Sequence, residues 1–121
     1  MAHTVSLLAD HKGFTKPKVV GDEYCVDAVI DITSYTANGE EILASSLGLT
    51  SITAVVITGV SVDTIAGGYS VSVISAETLS GAANGGQYIQ TGNKDRFQIN
   101  VPAASNTDNI GELRVRVWGN L

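Results

Sequence analysis

EYCVDAVIDIT, residues 23–33, alternates with a period of two. Tyr24, Val26, Ala28, Ile30 and Ile32 fall on one side of an extended chain; Cys25, Asp27, Val29, Asp31 and Thr33 fall on the other. Successive side chains of a strand point to opposite faces, so one face here is apolar throughout while the other carries two carboxylates. A helix, turning by about 100° per residue, would mix the two sets. The stretch is a half-buried strand, and it sets the reading of the rest.

The same alternation recurs along the chain. Tyr69, Val71 and Val73 oppose Ser70, Ser72 and Ile74; Phe97, Ile99 and Val101 oppose Arg96, Gln98 and Asn100; Leu113, Val115 and Val117 oppose Arg114, Arg116 and Trp118. "TSITAVVITGVSV" (50–62) is apolar on both faces around Val55 and Val56, which predicts the most buried strand, with a bulge at Gly59. Shorter strands are expected at 3–9, 16–20 and 87–91. Gly21-Asp22, Asn38-Gly39, Gly67-Gly68, Gly85-Gly86 and Gly92-Asn93 supply turn chemistry between them. Residues 78–86 and 101–109 read as surface loops, Pro102 ending the strand before the second. Seven or eight short strands with such punctuation predict an all-β fold, an antiparallel β-sandwich of jelly-roll character.

Length and composition bound the rest. A chain of 121 residues forms one domain over 1–121 and buries roughly two thirds of its unfolded surface. Residues 1–20 are a candidate extended arm. Charged residues are only 16% against 44% hydrophobic, so disorder from charge excess is not expected. A net charge of −5 disfavours nucleic acid as a partner. The single cysteine, Cys25, can form no intrachain disulfide and reads as a buried, inert thiol. "MAHTVSLLAD" does not read as a signal peptide, and the apolar run at 54–57 is too short to cross a membrane, so a soluble cytoplasmic product is expected.

One stretch departs from strand logic. In "SYTANGEEILASSLGLTSI" (34–52) a turn at 36–39 is followed by Glu40 and Glu41, then by a short apolar run ending at Gly48. Acidic residues favour a helix N-terminus and glycine a left-handed stop, so one helical turn is expected over 42–47. Ile42, Leu47 and Leu49 would plug an open end of the sandwich.

The run from Asp31 to Ile52 also resembles a motif of small tailed-phage head proteins, the decoration (cement) proteins. The matching positions are Asp31, Ser34, Tyr35, Asn38, Gly39, Glu40, Ile42, Leu47, Gly48 and Leu49. The ending "IGELRVRVWGNL" is similar to that family's closing strand. One departure stands out: Leu43-Ala44 occupies the place of the family's frequent Thr-Pro, which leaves Asn38 or Ser45 to cap the turn. The resemblance implies a bacteriophage capsid protein, made in the host cytoplasm and bound in the virion to the outer surface of the mature head. Its partner would be the major capsid protein, and its work capsid stabilisation against the pressure of packaged DNA. Another virion subunit (a head-tail connector, a tail protein or a fibre or adhesion β module) is the alternative.

No enzyme constellation is visible. His3 and His11 have no ligand partners at metal spacing and read as surface residues. "GGYS" (67–70) lacks the nucleophile-elbow pattern, and the glycines at 81–86 lack the spacing of a phosphate loop. "NTDNIGE" (106–112) misses the calcium-loop arrangement. Asp27 and Asp31 lie four apart on one strand, about 13 Å by strand rise, too far for paired-carboxylate catalysis; they read as a solvated face. No catalytic, metal or cofactor residue is assigned. Candidate contact residues are Lys12, Lys16 and Lys18, three of the seven basic side chains within nine residues, and Trp118 as an interface anchor. The expected assembly is a homotrimer, in which three modest patches bind together.

Overall fold

Ten strands and one 3-10 turn make up the described part of the chain: β1 (Ala2–Leu7), β2 (Lys18–Val20), β3 (Glu23–Ser34), β4 (Glu40–Leu43), the turn Ala44–Leu47, β5 (Ser51–Val62), β6 (Ser72–Ser75), β7 (Ala83–Asn84), β8 (Gly86–Tyr88), β9 (Arg96–Asn100) and β10 (Gly111–Asn120). The computed structural model describes residues 2–10, 12–36, 39–62, 72–75, 83–84, 86–88, 95–101 and 107–121; at 2, 62, 72–75, 83–84 and 86–88 only the backbone is described. The expected starts of strands at 69–71, their ends at 89–91, the loop at 102–106 and His11 lie outside these residues.

The strands form two antiparallel sheets, as an all-β sandwich requires. The larger runs β1-β3-β10-β5-β8, with β2 also on β3; the smaller runs β4-β9-β6-β7. β1 and β2 follow one another along the same edge of β3, so residues 2–7 and 18–20 of the candidate arm are paired strand. Val26, Ala28, Ile30 and Ile32 of β3 face Leu113, Val115 and Val117 of β10 and Phe97 and Ile99 of the opposite sheet in one buried cluster. The alternation read from the sequence is the burial pattern observed: in β10, residues Gly111, Leu113, Val115, Val117 and Gly119 are buried and the residues between them are not.

Among the described residues β10, not β5, is the strand hydrogen-bonded along its length on both sides. Val55 opposes Val117 and Ile57 opposes Val115, so Val56, opposite Arg116, has to point away from the core, and it is exposed. Two bulges adjust β5 to β10. The register slips at Thr58, next to Gly59, and again at Thr53. Each bulged threonine turns its hydroxyl onto β10: Thr58 donates to the Arg114 carbonyl at 3.1 Å and Thr53 to that of Trp118 at 3.2 Å. At the second bulge the strands come so close that a Cβ on Gly119 would lie 1.9 Å from the Ser51 carbonyl oxygen.

The crossover between the sheets is where the helical expectation needs correction. Glu40–Leu43 is a strand paired with β9, and the turn begins only at Ala44, so neither glutamate lies in its first turn. The alternation Glu40, Ile42 against Glu41, Leu43 holds: the first pair is buried, the second exposed. Ser45 does not cap the turn, and Asn38 lies outside the described residues; the N-cap is Leu43, with no side-chain bond, and the Ala44 amide donates to the Asp95 carbonyl at 2.7 Å. Gly48 ends the turn at φ +77°, the left-handed stop expected of it, with the Leu49 amide returning to the Ala44 carbonyl. Ile42, Leu47 and Leu49 are buried in the common core.

Candidate functional site

The outer face of the larger sheet follows from the register. β2, β3, β10 and β5 run side by side, with Lys18 opposite Cys25, Cys25 opposite Trp118 and Trp118 opposite Ala54. One step along, Asp27, Arg116 and Val56 stand in a row, and beyond them Val29, Arg114 and Gly59. Because Leu113, Val115 and Val117 face the core, Arg114, Arg116 and Trp118 must share this outer face.

Trp118 is half-buried between small neighbours, beside a groove of about 300 Å³ lined by Lys18, Val20, Cys25, Asp27, Arg116 and Trp118 itself. Lys16 and Lys18 border a smaller hollow next to it, which also reaches Cys25 and Asp27. Lys16, Lys18 and Trp118 are therefore brought together, and Lys12 sits on the turn that rims them. Asp10 builds that turn: its carboxylate accepts from the Lys12 and Phe14 amides at 2.8 and 2.9 Å, and its own amide donates to the Phe14 carbonyl. The Lys18 ammonium at 2.7 Å, with the Phe14 and Lys12 amides, holds the Asp10 carboxyl down to about 2.

Asp27 is not a plain solvated carboxylate. It takes a two-pronged pair from Arg116, Nε at 2.8 Å and a terminal nitrogen at 3.0 Å, with Arg114 at 3.7 Å. The Arg116 guanidinium lowers its pKa against an opposing effect of partial burial. Cys25, beneath this pair, is half-buried; burial raises its thiol, which keeps it a poor nucleophile. Arg114, Arg116, Val20 and Val56 were not singled out in the sequence. Strand alternation at 112–118 already put both arginines beside Trp118; the strand order that adds β2 was the part no local pattern carries.

A second polar cluster overturns the reading of His3. It is half-buried, and its Nδ1 lies 2.5 Å from Oε2 of Glu40, a residue 3% exposed. His3 occupies a core-facing position opposite Ile32 on the edge strand of one sheet, and Glu40 a core-facing position opposite Ile99 on the edge strand of the other. The Thr36 amide donates to the other carboxylate oxygen at 2.9 Å. Burial raises the Glu40 pKa, but the bonds from His3 and Thr36 outweigh it, and the net shift is downward.

Among the described residues no group of three or more His, Cys, Asp or Glu could hold a metal ion, and no helix is long and apolar enough to cross a membrane. What the outer face offers is an ion-paired, partly apolar surface with a groove beside Trp118. Comparison with protein-family models, with curated proteins and with solved structures found no match.

Proposed function

We propose that this chain is a bacteriophage capsid decoration protein: a β-sandwich of jelly-roll character that binds the outside of the mature head and reinforces it. The observation that carries the reading is the run from Asp31 to Ile52, which resembles the decoration-protein motif. In the fold this run ends β3, crosses to the smaller sheet and returns; its Tyr35, Ile42, Leu47 and Leu49 are buried. The motif thus joins the two sheets, a role that constrains sequence strongly. The outer face around Trp118 supports the reading from a second direction, as a surface for a shell subunit.

The mechanism is geometric. One such face makes a modest contact, but a symmetric trimer presents three at once, and each later contact forms at high effective concentration. Occupancy is then tight only where the shell lattice presents matching three-fold symmetry, and the trimer clamps neighbouring shell subunits together. Electron microscopy of particles produced by the genome that encodes the chain tests this. Density over the shell faces is the expected result. Density confined to one vertex would instead make the chain a connector or tail subunit, and particles without it would end the proposal. Light scattering on the isolated protein should give a trimer at micromolar concentration; monomer alone would remove the multivalent mechanism.

A further inference from the structure

We infer that the outer face of the larger sheet is the docking surface for an acidic segment of a partner protein that carries one large apolar side chain, seated beside Trp118. The inference deepens the decoration reading and rests on it for the partner's identity as a shell subunit.

Charge is the first argument. The chain carries net −5, yet five of its seven basic side chains (Lys12, Lys16, Lys18, Arg114 and Arg116) belong to this face or its rim. Three carboxylates lie among them and all are engaged, Asp10 by Lys18, Asp27 by both arginines and Glu23 by the Thr53 hydroxyl at 2.9 Å, so the cations still outnumber them. Among the described residues no ion pair engages Lys12 or Lys16, which are exposed. This end of the face is therefore locally positive on a negative molecule. Such focusing selects and orients an acidic partner while the molecule as a whole repels it elsewhere.

Apolar surface is the second. Val20 is 54% exposed and Val56 36%, both on this face, and Phe14 on the rim turn is 60% exposed. Val20 lines the groove beside Trp118, and Val56 stands opposite Arg116 on the same face. A groove with an aromatic wall at Trp118, an aliphatic lip at Val20 and cations at Lys18 and Arg116 fits an apolar anchor between carboxylates. The Asp27–Arg116 pair and the regular strands hold the wall in place before binding, which lowers the ordering cost. At the far end Asp31 and Glu112 lie side by side across β3 and β10, so the acidic segment covers the Trp118 end only.

Trp118 is the chain's only tryptophan, so its emission reports the groove directly. The full chain is titrated with the peptide Glu-Glu-Leu-Glu-Glu, with Lys-Lys-Leu-Lys-Lys, Glu-Glu-Gly-Glu-Glu and a short oligothymidylate as comparisons. The expected result is a saturable emission shift with the first peptide, at least about ten-fold tighter than with any other probe. It should weaken several-fold between about 50 and about 300 mM salt, as charges are screened. The double variant K12E/K16E, with circular dichroism like the parent's, should weaken it by about five-fold or more. The inference is overturned if the lysine or glycine peptide binds equally well, or if none binds. It is also overturned if the oligonucleotide binds more tightly, or if emission shifts with protein concentration alone, because a second copy then fills the groove. Heads coated normally by K12E/K16E, with peptide binding lost, would remove this face from docking and leave decoration standing. Peptide binding on a chain absent from heads would do the reverse.

Discussion

Breaking the His3–Glu40 pair should loosen a place where the two sheet edges are tied by charge. Glu40 points into the core from an edge strand, where a carboxylate is costly unless it is bonded. His3 and the Thr36 amide supply the bonds. A hydrogen bond to a charged group contributes about 2 kcal/mol, so His3→Ala should cost about that much. Glu40→Gln, which keeps the shape and removes the charge, should cost about 1 to 2 kcal/mol. For a chain of this length each kcal/mol moves the melting temperature by about 4 °C, which puts the His3→Ala loss near 8 °C.

The pH dependence separates a charge effect from lost packing. The folded pKa of Glu40 lies below its unfolded value. Its contribution is therefore complete above the unfolded value, about 4.3, and disappears as pH falls through the lower folded value. Urea midpoints of the parent and Glu40→Gln should be well separated at neutral pH and converge in acid, where the parent carboxyl is itself protonated. A separation that stays constant down to about pH 2, or a His3→Ala variant melting within about 2 °C of the parent, would refute the stabilising role of the pair.

Other expectations follow from single contacts. Tyr35→Phe removes the hydroxyl that accepts from the Val101 amide at 3.0 Å; that amide belongs to a buried residue, so the loss should be about 1 to 3 kcal/mol in the urea midpoint with an unchanged slope. Gly119→Ala drives a methyl group against the Ser51 carbonyl, backbone that has little room to yield, and should cost more than about 3 kcal/mol or abolish soluble expression. Asp27→Asn should change thermal stability by less than about 1 kcal/mol, since its arginine partners are nearly half exposed, yet it frees two guanidinium groups on the outer face. A melting temperature far below the parent's would show that pair to be structural after all.

The sandwich was legible because burial writes a period of two into any strand with one wet face. The patterns at 23–33, 95–101 and 112–118 needed only that rule, and Gly48 needed only its left-handed stop. The misreading at 40–43 has a local source: two adjacent glutamates before an apolar run fit a helix start, but Glu40 and Ile42 also alternate with Glu41 and Leu43. An inward-facing Glu40 is sustained only by its bonding partner. That partner, His3, lies 37 residues away and on the other sheet. No spacing rule links them. The same gap hid the neighbourhood of Trp118, since Lys18, Cys25 and Ala54 come from three other strands.

The inner and outer faces of the larger sheet also carry different kinds of information. Inner positions are dictated by packing, and Leu113, Val115 and Val117 would be apolar in any sandwich of this register. Outer positions owe nothing to the core, so their default is small or polar. Val20, Val56 and Trp118 depart from that default together, within one patch, and next to cations that a −5 chain otherwise uses sparingly. Leaving such side chains in water gains the monomer nothing, and an exposed valine on a paired strand invites association. Their joint presence is best accounted for by something that covers them. Because the two arginines are fixed by Asp27 rather than swinging free, a partner docked here as inferred above has to match a preset spacing of charge.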